Sequence, residues 1–317
     1  MIKVLFFFFL WLSKGLCDPF HIAIVSWNGH TEVEYSFLKT LQKYKIHFEF
    51  KQYDCHGNKE RCHSLVPVLR QEKPDLILLW GTPACLSLAG TINDNPKEYI
   101  TDIPIIATLI TDPFAVNITA KPDFYYRKNI LCLQHVPPVH VQWNIIKLYD
   151  RTIKKIAAFY SEDEAQSKQQ IISLQHIAKK EHAVVIPFPL IKNHDLTEFL
   201  QTCLDEKIDM IYLPSDTYVS LYAKQIVDFA TQHHIPTFTT TESMYWETEP
   251  FLGFITRFHH VGEDAAHQAF EILVNQSTFD DIQRKEKPKY SLILSEKTTR
   301  TGKFIPPLEI LKIALVI

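Results

Sequence analysis

The chain has 317 residues, enough for about two domains. Its 46% hydrophobic content is ordinary for a globular protein, and a formal net charge of -3 supplies no basic field for nucleic acid. With 8 glycines in the whole chain, composition argues against a glycine-rich phosphate loop.

The chain opens with "MIKVLFFFFLWLSKGLCDP": a positive start at Lys3, then nine unbroken apolar residues from Val4 to Leu12. That run is too short to span a bilayer as a helix, and small and polar residues follow it. The pattern is that of a secretory signal peptide over residues 1–17, with cleavage expected after Cys17 and an uncleaved membrane anchor as the alternative. Leu16, not a small residue, precedes Cys17, which argues against a lipid anchor. The sequence therefore predicts export.

Strand and helix signals then alternate. "HIAIVSW" predicts a strand ending at Ser26-Trp27, followed by a helix over about 31–44. "IHFEFKQY" predicts the next strand and residues 61–71 a helix; "DLILLW" is followed by a helix with Thr82 as N-cap and Pro83 as its first residue. "IPIIATLIT" ends at Asp112-Pro113. Apolar strands alternating with amphipathic helices predict a parallel sheet covered on both faces.

The pattern then restarts. "KIAAFYSEDEA" follows the logic of "HIAIVSWNGHTE", "DMIYLPSDTYV" that of "DLILLWGTPAC", and "IPTFTTTES" that of "IPIIATLITDP". Positions 26 to 82 span 56 residues and positions 161 to 215 span 54; 82 to 112 spans 30 and 215 to 242 spans 27. Three segments in one order with matching gaps predict two lobes of one architecture. The expected division is residues 18–133 plus 253–285 for lobe 1, and 134–252 plus 286–317 for lobe 2. "GFITRF" reads as a strand, residues 262–275 as a helix and "YSLILS" as a last strand, elements that suit a chain crossing between lobes more than once.

In open parallel sheets, ligands bind beyond the carboxyl ends of the strands. Thr82, Ser161, Ser215 and Thr217 stand there as candidate helix caps, and a helix start offers backbone N–H groups and partial positive charge to a carboxylate. Asp112, Asp216 and Glu242 are candidates for an ammonium or a hydroxyl. The plainer reading makes these residues ordinary caps and turn formers. Trp27, Trp80, Tyr160, Tyr218, Tyr245 and Trp246 cluster at the same ends, where each either stacks on a flat ligand or packs in the core. No Gly-x-Ser-x-Gly, His-Glu-x-x-His, Gly-x-Gly-x-x-Gly or phosphate-loop motif is present, so an enzyme has little support, and neither metal nor cofactor is expected. In an oxidising compartment Cys55 and Cys62 could close a short disulfide loop. Cys85, Cys132 and Cys203 read as buried small hydrophobes.

"SWNGHTEVEYSF", "KPDLILLWGTPA", "IPIIATLITDP" and "YSLILSEKTTRTGKFIPPLEIL" resemble the substrate-binding proteins of bacterial ABC transporters, in the type I group that includes aromatic amino-acid binders. The resemblance implies an α/β fold of two Rossmann-like lobes with parallel sheets joined by crossover strands. It also implies a periplasmic location, a monomer, an ABC permease as partner, and a small polar ligand trapped by hinge closure, best matched by an aromatic amino acid. By position it places the cleft at Ser26, Trp27, Gly81, Thr82, Thr111, Asp112, Ser161, Ser215, Asp216 and Glu242. Family members often carry a glycine-rich segment after the first lobe; here "RKNILCL" lacks glycine. A periplasmic sensor for a membrane receptor, or a cleft enzyme, are the alternatives.

Overall fold

The computed structural model describes residues 18–110, 112–121, 126–162, 164–191, 196–283, 289–300 and 304–317. The expected signal segment, Cys17 and Thr111 lie outside the described residues.

Thirteen strands form two sheets among the described residues. The first six are β1 (Phe20–Ser26), β2 (Phe48–Asp54), β3 (Leu76–Trp80), β4 (Ile105–Ile110), β5 (Tyr126–Arg127) and β6 (Ile130–Gln134). The others are β7 (Lys155–Ser161), β8 (Val184–Leu190), β9 (Met210–Leu213), β10 (Thr237–Thr239), β11 (Leu252–Ile255), β12 (Ser291–Leu294) and β13 (Leu315–Val316). The first sheet runs β2-β1-β3-β4-β6-β5 and the second β13-β12-β11-β10-β9-β7-β8. Both are parallel apart from the β5–β6 and β11–β12 pairs.

The repeat seen in the sequence is visible in these orders: β2-β1-β3-β4 in one sheet and β8-β7-β9-β10 in the other. Central strands such as β3 (LILLW) are apolar throughout because helices cover both faces. β8 (VVIPFPL) escapes sequence detection, since Pro187 and Pro189 remove ladder donors; the structure tolerates them because β8 is an edge strand.

The helix Glu32–Lys43 starts at a capping box, with Thr31 accepting from Val33 N and Glu34 reaching back to the Thr31 N–H. It buries Val33, Phe37, Thr40 and Leu41, one face at helical spacing. Burying Phe37 and Leu41 contributes about 2 kcal/mol each by area. Against that face packs the helix Phe258–Leu273, which begins four residues earlier than expected. The two backbones meet at Gly262, where a β-carbon would lie 2.3 Å from the Val33 carbonyl oxygen. The helix expected over 61–71 is two helices, Lys59–His63 and Leu65–Glu72, which meet at Ser64.

The assignment of residues 253–285 wholly to lobe 1 needs correction at its start. β11 pairs with β10 and with β12, so it belongs to the second sheet; the helix Phe258–Leu273 and the short helix Phe279–Gln283, which packs on β5, return to lobe 1. Among the described residues the chain passes between lobes at residues 135–138 and at 256–257.

Candidate functional site

Both sheets turn the carboxyl ends of their central strands toward a shared cleft of about 640 Å³. Lobe 1 contributes Trp27, Trp80, Gly81, Thr82, Pro83, Leu86, Leu109, Val116 and His135; lobe 2 contributes Glu164, Gln166, Ser215, Asp216, Thr217, Thr240, Thr241 and Glu242. Lys59 joins the lobe 1 side, Ser220, Ser243 and Glu247 join the lobe 2 side, and Thr256 and Phe258 line the cleft at the second crossing and the helix start that follows it.

The strand-to-helix turn after β3 depends on Gly81. Its φ of 96° is unfavourable for a residue with a β-carbon, and a β-carbon there would sit 2.9 Å from Trp27 Cβ. Gly81 is the N-cap of the helix Thr82–Ala89 and supplies no side-chain cap, so Thr82 is the first helical residue, not the cap expected from sequence. The Thr82 hydroxyl accepts instead from Gln166 Nε2 at 3.1 Å, a hydrogen bond that joins the two lobes across the cleft. Beside it, β4 carries a register shift between Ala107 and Ile110, and Leu109 adopts φ 55°. A bulge of this kind re-aims a side chain at the cost of local strain, a combination common at binding sites.

The equivalent turn in lobe 2 is already filled. Asp216, 3% exposed, caps the helix Thr217–Gln232 by accepting from Val219 N at 2.8 Å. It also accepts from Ser161 N at 2.7 Å and from the Ser167 hydroxyl. Glu164 then accepts from Thr217 N at 2.8 Å, placing a second carboxylate at the same helix end. Burial, followed by the nearby charge of Asp216, raises the Glu164 pKa. The expectation that Ser215 and Thr217 present open N–H groups to a ligand carboxylate is thereby corrected.

The other acidic candidates are engaged as well. Asp112 accepts from Phe114 N and Ala115 N, both at 3.0 Å, the turn-forming role. Glu242, 4% exposed, accepts from Phe258 N, Arg257 Nε at 3.4 Å and Trp246 Nε1 at 3.1 Å. It fastens the second crossing to the start of the helix Glu242–Thr248. Asp112, Ser26, Tyr160, Ser161, Tyr218, Tyr245 and Trp246 are not in the cleft lining. Ser26 is buried, with its hydroxyl on the Tyr53 carbonyl; Tyr160 packs on the lobe 2 core; Ser161 faces a neighbouring depression with Leu190 and Leu221. Cys55 and Cys62 are free and fully buried; the two thiols share a hydrogen bond, and Cys62 Sγ lies 3.7 Å from the Ala84 carbonyl oxygen. They pack in the lobe 1 core and form no disulfide in this structure.

Sequence reasoning missed Glu164, Gln166, Leu109, His135, Thr241 and Thr256. Glu164 and Gln166 lie in and just after the acidic run "SEDEA", and Thr241 in "TFTTTES", so strand-end logic reaches them. His135 and Thr256 sit on crossings with no periodicity to mark them. Among the described residues, Trp80 Nε1, His135 Nδ1, Thr241 Oγ1 and Thr256 Oγ1 are buried with no protein partner. Polar atoms so placed are costly unless something else in the cleft satisfies them.

A bilobed α/β fold closing on a polar-rimmed cleft defines the type I periplasmic binding proteins. The chain belongs to the ABC transporter substrate binding protein family, whose profile it matches over residues 22–314. It is 24% identical over 259 residues to a tyrosine-binding protein of Clostridioides difficile strain R20291, covering 81% of this chain and 70% of that one. Two solved structures share the fold. One is a Streptococcus pneumonia ABC domain in complex with L-Trp, at TM-score 0.72 and 19% identity, over 93% of this chain and 100% of that one. The other is the ligand-free, open form of a substrate-binding protein with adhesive properties from Clostridium difficile, at TM-score 0.74 and 19% identity, over 94% and 98%. Among the described residues no helix is long and apolar enough to cross a membrane.

Proposed function

We propose that this protein is the exported capture component of an ABC uptake system and binds an aromatic amino acid between its lobes. The observation that carries this reading is the division of the cleft walls. Lobe 1 offers an apolar face of Trp27, Trp80, Pro83, Leu86, Leu109 and Val116, suited to a flat ring, with Lys59 as its one charged lining residue. Lobe 2 offers hydroxyls and carboxylates, suited to a zwitterion. The ligand carboxylate meets the helix start at Gly81-Thr82, where no side chain caps the N–H groups. The ammonium meets Glu164, which lines the cleft as Glu247 does and accepts from Thr217 N, whereas Asp216 and Glu242 are each held by three protein donors and Asp112 lies outside the lining.

The mechanism is hinge closure. A ligand held by lobe 1 draws lobe 2 over it, and the Gln166–Thr82 contact ties the closed form. The involvement of every acidic candidate in backbone hydrogen bonds supports binding over acid–base chemistry. The tyrosine- and tryptophan-linked relatives support the ligand class, and the apolar leader supports export to a membrane permease. Isothermal titration with the twenty amino acids tests the reading. L-tyrosine or L-tryptophan should bind with micromolar or tighter affinity, and silence from all twenty would remove the ligand class.

A further inference from the structure

Two buried polar atoms on the lobe 1 side of the cleft, Trp80 Nε1 and His135 Nδ1, have no use in the account above, and the second is an acceptor candidate. His135 stands on the first crossing, immediately after β6, and lines the cleft beside the lobe 1 residues that would take a ring. Its Nδ1 is buried without a partner among the described residues. The ring also hydrogen-bonds the Ile110 backbone, and that bond favours the protonated ring, so it is a donation to the carbonyl. Nδ1 has no partner in the structure, so the donor is assigned to Nε2. Burial lowers the ring's pKa to about 4, so the imidazole is neutral near pH 7. A neutral imidazole has one donor and one acceptor nitrogen. The donor is fixed on Ile110, which leaves Nδ1 as an acceptor held in place by the tautomer.

An acceptor held in an apolar wall selects for a donor on whatever packs there. The zwitterion's own donors are drawn to the opposite wall, where Glu164 and the threonine hydroxyls stand. We propose that His135 Nδ1 accepts a hydrogen bond from the ligand's ring, so that the cleft prefers aromatic amino acids whose ring carries an O–H or N–H over those whose ring carries none. This inference rests on reading the cleft as an aromatic amino-acid site. Phenylalanine would fit the same wall but leave Nδ1 buried and unsatisfied, which disfavours it.

The test is titration calorimetry of the whole protein with L-tyrosine, L-tryptophan, L-phenylalanine and O-methyl-L-tyrosine, which keeps the ring oxygen and loses its hydrogen. Tyrosine and tryptophan should bind about tenfold or more tightly than phenylalanine and O-methyl-tyrosine, the ratio set by one hydrogen bond to a buried acceptor. His135→Phe should bring tyrosine to within about threefold of phenylalanine while phenylalanine binding persists; His135→Asn, which places an amide oxygen near Nδ1, should keep part of the preference. Circular dichroism melts of both variants check folding, and the ligand series on the unaltered protein stands even if a variant fails. Equal binding of phenylalanine and tyrosine would overturn the inference while leaving the ligand class intact. So would a loss in His135→Phe that is the same for all ligands, the mark of a contact to the amino-acid backbone. Absence of binding by all four would instead overturn the ligand class, and this inference with it.

Discussion

The helices Thr82–Ala89 and Thr217–Gln232 leave equivalent strands of a repeated architecture, and both start at the cleft, yet their ends are finished in opposite ways. The first is preceded by a glycine in a left-handed turn and has no side-chain cap. The second is closed by two of the protein's own carboxylates, Asp216 and Glu164. A helix start is an anion site by its backbone alone, but whether it serves a ligand depends on what the chain has already placed there. One lobe keeps the site open; the other fills it and so becomes a preformed negative wall.

Removing the filling should do the most damage. Asp216→Ala strips the acceptor from Ser161 N, Val219 N and the Ser167 hydroxyl, and should lower stability by about 3 kcal/mol in urea unfolding. Closing the open end should come next. Gly81→Ala forces a strained φ and a β-carbon against Trp27; about 2 kcal/mol of stability should go, with at least tenfold of the affinity for L-tyrosine. A smaller effect comes from pH. His135 has a folded pKa of about 4, below its unfolded value of about 6.5, so its contribution is complete above pH 6.5 and is lost as pH falls toward 4. Between pH 7 and pH 5 the loss should be about 1 to 2 kcal/mol, and His135→Asn should flatten that part of the profile. The mildest change to the fold should be Glu164→Gln. Its amide oxygen can still accept from Thr217 N, so melting should shift by less than about 1 kcal/mol, while calorimetry should show about tenfold weaker amino-acid binding from the lost charge. An unchanged affinity in that variant would place the ammonium elsewhere.

The architecture was legible because it rests on local signals: apolar runs for buried parallel strands, Gly81-Thr82-Pro83 for a strand-to-helix turn, and matched spacings for the repeat. The strand end at Trp27 and the turn at Gly81 were readable from type and position. Asp112 is a turn former and Asp216 a cap, in line with the plainer reading; what was not legible was the set of long-range partners of the buried carboxylates. Asp216 meets Ser161, fifty-five positions away, and Glu242 meets Phe258, sixteen positions away. No local pattern records which backbone N–H a folded carboxylate will meet. Thr82 was misplaced by one residue because the left-handed φ at Gly81 moves the cap back a position. β11 was given to the wrong sheet because a short apolar strand carries no mark of which neighbour it will pair with. His135 was invisible for a related reason: on a crossing, neither helical nor strand periodicity applies.

The packing of the helix Phe258–Leu273 against the helix Glu32–Lys43 governs when the first half of the molecule can be completed. Ile22, Ile24, Leu76, Leu78 and Ile106 share one apolar face with Phe37 and Leu41, and that face is roofed by Ala265, Ala266 and Ala269. During synthesis the strands emerge early, but their cover is made only after residue 269 has been added. A nascent chain shorter than that exposes a bare apolar surface and has no finished lobe to lock into. Completion of this lobe therefore depends on contacts of long sequence separation.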